Sequence, residues 1–295
     1  MRANFVAVIL LKISCLASAQ EPPEKDDRKN DNLKDLIIER YEEVRPNYNA
    51  DSVRRELDTG PYFSLYKDNY FIGGVPLGDK IKANNSNVKF QLSVSQKITR
   101  SRLPFDTYLF IMFTQKTIWN VAQKSMPVRD INFNPGIGLG HIIVYKNRYV
   151  GRAFLMAEHE SNGKDSILSR SWNRFSVGAN VMITKNIDAQ IKIWAPLIDS
   201  DNNRDILRYN GLGHFGLNIR SDNRRFVFGS LLTWRSRSFS FNSQWDFGFK
   251  LRNNDNQYFF IQYYNGYGEN LFDYNHFKSM VRVGFVIKSR DFSIY

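Results

Sequence analysis

The stretch His159-Glu160-Ser161-Asn162-Gly163, followed closely by Ser169-Arg170-Ser171-Trp172-Asn173-Arg174, holds the parts of a nucleophilic hydrolase site. A serine hydroxyl attacks a carbonyl only when a neighbouring base takes its proton, and the base needs a third group to fix its tautomer. Ser161, His159 and Asn173 are the residue types for those three roles. An amide in third place stabilises an imidazolium less than a carboxylate does, yet it avoids placing a charge in an apolar setting. Without those roles, His159 and Ser161 are rim residues hydrogen-bonded to water and Asn173 is a turn residue. Geometry decides between the two readings, because so short a string does not.

The flanks say what must position these groups. Gly151, Ala153, Leu155, Ala157, His159 and Ser161 share one face of a period-two segment, with Arg152, Phe154, Met156, Glu158, Glu160 and Asn162 on the other. After the motif, Asn173, Phe175, Val177, Ala179, Val181 and Ile183 form an apolar face opposite Arg174, Ser176, Gly178, Asn180 and Thr184. If the two segments pair as a hairpin with its tip near Ser166, His159 comes close to opposite Asn173, because cross-strand partners sum to a constant.

The same alternation starts near Asn69 and recurs to the C-terminus. Val88, Phe90, Leu92 and Val94 alternate with Lys89, Gln91, Ser93 and Ser95; Ile187 to Ile193 and Val281 to Ile287 do likewise, and Leu109, Ile111 and Phe113 less cleanly. Turn signals such as Lys185-Asn186, Ser221-Asp222-Asn223 and Asn253-Asn254-Asp255-Asn256 separate the segments. About twelve segments of roughly ten residues predict an all-β fold, a twelve-stranded antiparallel transmembrane β-barrel. A soluble sandwich or lipocalin-like barrel is the alternative. Lys89, Lys192 and Arg282 opposite the aliphatics, 15% aromatic residues, and Phe292 and Tyr295 at the end favour the membrane. In such a barrel the apolar face meets lipid, so His159, Ser161 and Asn173 point outward.

Composition bounds the rest. Of 295 residues, 42% are hydrophobic, which excludes wholesale disorder, and no later run of about 18 apolar residues predicts a transmembrane helix. Residues 1–19 read as a secretory signal, with Arg2 at its start, an apolar centre from Val6 to Leu11 interrupted at Lys12, and the small residues Ala17-Ser18-Ala19 at its end. The only cysteine, Cys15, falls inside that signal, so the mature chain has no disulfide. Residues 20–60 predict a mobile or partly helical N-terminal segment, with Leu33, Leu36, Ile37, Tyr41 and Val44 at helical spacing, and residues 61–295 the barrel. The net charge is +12, while residues 20–60 carry twelve acidic and eight basic side chains, so the positive excess lies in the barrel region. A basic body beside a bilayer suits anionic head groups, and no nucleic-acid recognition motif is present.

His159-Glu160-Ser161-Asn162-Gly163 with Ser169-Arg170-Ser171-Trp172-Asn173-Arg174 resembles the signature of the outer-membrane phospholipase A family. The likeness extends to Val88-Lys89-Phe90-Gln91-Leu92-Ser93, to Thr114-Gln115-Lys116, to Ser125-Met126-Pro127-Val128-Arg129-Asp130, and to Gly266-Tyr267-Gly268-Glu269 with Asp273-Tyr274-Asn275. It covers most of the chain after about Asp68.

The resemblance implies a barrel in the outer membrane of a Gram-negative bacterium that hydrolyses acyl esters of glycerophospholipids (A1, A2 and lysophospholipase type). It places the nucleophile on Ser161, the base on His159, the orienting amide on Asn173 and an oxyanion-binding N–H at Gly163. It further implies Ca2+ held by the Ser169 hydroxyl, the Lys164 carbonyl and Ser125 of a second copy, and a homodimer contact at Gln115. The family usually has arginine where Lys164 stands, a change that a carbonyl ligand tolerates. The competing expectations are a catalytically inactive barrel or pore, and a lipopolysaccharide deacylase.

Overall fold

The computed structural model describes residues 62–288 except 102, 146–147, 198–200, 236–239 and 253–255, together with Arg55, Asp58 and Thr59. The expected signal, the helical spacing between Leu33 and Val44, and the terminal Phe292 and Tyr295 lie outside the described residues.

Thirteen strands run in chain order: β1 (Phe63–Leu65), β2 (Asn69–Pro76), β3 (Asn87–Lys97), β4 (Thr107–Trp119), β5 (Val128–Tyr145), β6 (Arg148–Ser161), β7 (Ser171–Met182), β8 (Ile187–Leu197), β9 (Gly213–Arg220), β10 (Phe226–Trp234), β11 (Phe241–Lys250), β12 (Gln257–Gly266) and β13 (Lys278–Ile287). From β2 onward each pairs antiparallel with its neighbours in sequence, and β13 pairs with β2 to close the ring. The ring has twelve staves because β1 and β2 share one. Both pair with β3, Leu65 opposite Val94 and Tyr70 opposite Gln91. Between them Tyr66-Lys67-Asp68 leave the ladder. Tyr66 is buried against Phe110, Met112, Phe154 and Met156, and the Asp68 carboxylate lies 2.5 Å from Lys288 Nζ.

The inside-out pattern is that of a membrane barrel. Leu92, Ile111, Leu155, Phe175, Val177, Ile191, Val283 and Phe285 are exposed, whereas Lys89, Lys192 and Arg282 are buried. Surface of that kind is stable against lipid and would aggregate in water. Inside, charges are paired: Glu269 takes Lys89 Nζ at 3.2 Å and Arg282 Nη1 at 2.6 Å. The lumen departs from the polar interior that alternation predicts, since Phe110, Met112, Phe154 and Met156 form an apolar cluster on the inner face. In β4 this explains the unclean alternation, because both faces of that stave are apolar there.

Candidate active site

The β6–β7 hairpin places the candidate residues. Its ladder pairs Glu158 with Arg174, His159 with Asn173 and Ser161 with Ser171. Leu155, Phe175 and Val177 on the same face are exposed, so His159, Ser161 and Asn173 lie on the outer surface, half-buried among apolar neighbours.

His159 Nδ1 lies 2.8 Å from Asn173 Oδ1. An amide oxygen only accepts, so Nδ1 is the donor and Nε2 is left as the basic nitrogen. Ser161 follows two residues on, about 7 Å along the strand. Among the described residues its hydroxyl makes no hydrogen bond to the ring. Contacts of this type are often long until substrate enters.

Two features shape the ladder here. Pro135 lies opposite His159 by the register of β5 and β6, in which Phe133 pairs with Ser161 and Gly136 with Glu158. Proline has no N–H for the ladder. The His159 carbonyl instead accepts a hydrogen bond from Asn134 Nδ2 at 2.7 Å. Beside this pair an open apolar groove of about 520 Å³ runs over the barrel surface, lined by Ile111, Pro135, Ile137, Phe175 and Leu197 with His159 and Asn173 at its edge.

The lumen side locks the hairpin. Glu158 accepts hydrogen bonds from Arg174 Nε at 3.3 Å and from Ser176 Oγ, and pairs with Lys192 Nζ at 2.6 Å. Glu160 accepts from Arg174 Nη1 at 2.8 Å and Trp172 Nε1 at 3.2 Å. These bonds tie β6, β7 and β8 together at the level of His159. A slip of one residue would turn His159 into the lumen, and it would also bring Glu158 out into lipid.

The hairpin loop is held in shape by Asn162. Its buried amide accepts from Arg170 N at 2.9 Å and donates to Leu168 O at 3.0 Å. Gly163 follows with φ of 63°, where a Cβ would lie 2.9 Å from the Phe133 ring. Any L side chain in that conformation costs about 1–2 kcal/mol. Gly163→Ala is therefore expected to speed amide exchange across residues 162–170 by roughly 5- to 30-fold at unchanged barrel folding, as measured by hydrogen exchange.

Lys164 and Ser169 lie on this one loop, and Ser125 is exposed in the separate loop between β4 and β5. Gln115 points outward between Leu92 and Phe133, with its Nε2 3.4 Å from Thr117 Oγ1. Sequence reading missed the supports. Asn203, fully buried, accepts from Ser171 N at 3.2 Å and donates to Ser171 O at 2.9 Å, pinning the start of β7. Nothing in the residues around Asn203 marks it for that role.

The β12–β13 loop also reaches the site. Arg129 donates from Nε and Nη2 to Asp273, both at 2.8 Å. Burial alone would raise the Asp273 carboxyl, but the Arg129 hydrogen bond, with Lys278 and His276 nearby, outweighs it and holds the group below the usual carboxylate range. A depressed folded value means that this contact stabilises the loop above the unfolded value of about 3.9 and fades as pH falls through the folded one. Pepsin nicking within residues 267–277 should accordingly rise below about pH 4, and Asp273→Asn should remove that dependence.

A membrane barrel with a serine, a histidine and an asparagine grouped on its lipid-facing surface defines a class: an outer-face hydrolase-type barrel. The phospholipase A1 family model matches residues 74–287, and the chain belongs to that family. Phospholipase A1 of Escherichia coli strain K12 is 29% identical over 214 residues, covering 70% of this chain and 71% of that protein. The putative phospholipase A1 of Neisseria meningitidis serogroup B is 26% identical over 216 residues, covering 70% and 56%. Outer membrane phospholipase A from Escherichia coli superposes with a TM-score of 0.68 at 23% identity, over 77% of this chain and 99% of that one. The Salmonella typhi outer membrane phospholipase dimer with bound calcium also gives 0.68, at 24% identity over 77% and 92%.

Proposed function

We propose that this chain is a calcium-dependent phospholipase of the outer membrane that cleaves acyl esters of glycerophospholipids with Ser161, His159 and Asn173 and is active as a homodimer. The observation that carries the reading is the 2.8 Å contact of His159 Nδ1 with Asn173 on the lipid-facing surface, two residues from Ser161. With Nδ1 held by Asn173, Nε2 takes the Ser161 proton as the oxygen attacks the acyl carbonyl carbon. The Gly163 N–H, two residues on from Ser161, is the proposed donor to the oxyanion that develops. Collapse releases the lysophospholipid oxygen, which receives the proton from His159. Water, deprotonated by the same nitrogen, then frees the fatty acid from Ser161. The groove along Ile111, Ile137, Phe175 and Leu197 accepts an acyl chain without drawing it out of an apolar medium.

The residues present fit a calcium ion. Among the described residues no three His, Cys, Asp or Glu side chains cluster for a metal. The Ser169 hydroxyl, the Lys164 carbonyl and Ser125 of a second copy supply hard neutral oxygens, which suit calcium over softer ions and favour weak binding. A bound ion there would supply a Lewis-acidic charge beside the reacting ester. Lys164 N and Arg170 N both lie on Asn162 Oδ1, at 3.4 and 2.9 Å, which presents the Lys164 carbonyl and Ser169 from one fixed loop. Gln115, outward among apolar neighbours, is the proposed polar contact between the two barrels.

The test is release of fatty acid from mixed micelles of phospholipid and detergent, with and without calcium. Calcium-dependent release by the wild type and none by Ser161→Ala supports the reading. Preferential deacylation of lipopolysaccharide over phospholipid would replace it with the deacylase.

A further inference from the structure

The side chain of Lys164 has no part in the proposed chemistry, yet it is among the most definitely placed cations of the site. Its Nζ donates to the Arg129 carbonyl at 3.0 Å and stands 3.8 Å from the centroid of the Phe272 ring. Arg129 also lies over that ring, its guanidinium 5.6 Å from the centroid. Phe272 belongs to the β12–β13 loop, which arises from staves far from β6 and β7 in the ring order. Its own backbone is fixed. Asp130 Oδ2 accepts from Phe272 N at 2.9 Å, and Asn132 Oδ1 accepts from Leu271 N at 3.1 Å. Glu269, buried earlier in the same loop, is held by Arg282 and Lys89 from the barrel wall.

We propose that Phe272 is a positioning residue for the hydrolase loop, acting as a latch on which the Lys164 ammonium rests, so that the β12–β13 loop sets the Lys164 carbonyl and the Gly163 N–H. This rests on the calcium reading above for its functional consequence, and on geometry alone for the latch itself. A cation over an aromatic face is worth about 0.5–2 kcal/mol, more where water is excluded. The Lys164 backbone is one residue from Gly163, so holding the side chain constrains both groups. Leucine at 272 keeps the apolar bulk and removes the ring face; tyrosine keeps the face.

Two measurements on the full-length protein in detergent micelles test the latch. The first is hydrogen exchange over residues 163–169 without calcium. Phe272→Leu should speed it by roughly 2- to 30-fold, the fold-change that corresponds to the contact, and Phe272→Tyr should leave it at the wild-type rate. The second is the calcium concentration for half-maximal covalent cross-linking of dimers, expected to rise several-fold in Phe272→Leu and to be restored in Phe272→Tyr. Lys164→Met should mimic Phe272→Leu, and the double variant should be no worse than either single one. Wild-type exchange in Phe272→Leu, or additive effects in the double variant, overturns the latch. Faster exchange in a protein whose cross-linking ignores calcium keeps the latch and overturns the calcium reading.

Discussion

Ser161→Ala is expected to lower phospholipid hydrolysis by about 10⁴- to 10⁶-fold, leaving only the contribution of binding and oxyanion stabilisation. His159→Ala should fall as far, because the two residues act as one unit and their losses do not add. Asn173→Ala should cost less. The amide orients the imidazole through a single 2.8 Å contact and offers no charge to the imidazolium that forms. Ser171→Ala is the control, since Ser171 sits directly opposite Ser161 in the ladder and has no assigned role. The readout is initial rate of fatty-acid release at saturating calcium, with barrel folding checked by heat-modifiable migration on gels. Retention of activity within tenfold of wild type in Ser161→Ala would remove the nucleophile and the mechanism with it.

The second large effect tests the proposed division of the calcium ligands between two copies. Ser125 lies in the β4–β5 loop, while Lys164 and Ser169 lie in the β6–β7 loop. If one copy's Ser125 completes the other copy's site, Ser161→Ala and Ser125→Ala chains are each poorly active alone. Mixed in equal amounts they should regain about a quarter of wild-type activity, since half the dimers are mixed and each mixed dimer holds one complete site. Chelation of calcium should abolish that recovery. An inactive mixture, with cross-linking showing that mixed dimers had formed, would place Ser125 outside the partner's site.

The supports behind the candidate residues differ in how they could be read beforehand. Glu158 and Arg174 flank the motif, and alternation alone assigns them to the face opposite His159 and Asn173. That Lys192 joins them to make one buried network follows only from β8 lying beside β7 in register, with Lys192 opposite Gly178 and Pro196 opposite Arg174. Asn162 was inside the motif but unassigned, because a clamp on backbone groups leaves no pattern in side-chain types. Pro135 and Asn134 were equally silent. A missing N–H matters only once its ladder partner is known to be His159.

By itself the amino-acid order determined the period-two alternation, and hence the barrel and the outward facing of His159, Ser161 and Asn173. It also implied that His159 faces Asn173 once a hairpin tip is placed near Ser166, because cross-strand partners then sum to a constant. Tertiary structure decided what depends on contacts between distant segments. The stave broken at Tyr66-Lys67-Asp68 exists because Tyr66 fills an apolar lumen cluster built from β4 and β6. Asn203 reaches Ser171, and Phe272 reaches Lys164, across separations that no sequence period spans. The physical reason is the same in each case: closing the ring brings loops from separate hairpins to one rim, and the partners that meet there are chosen by the closure.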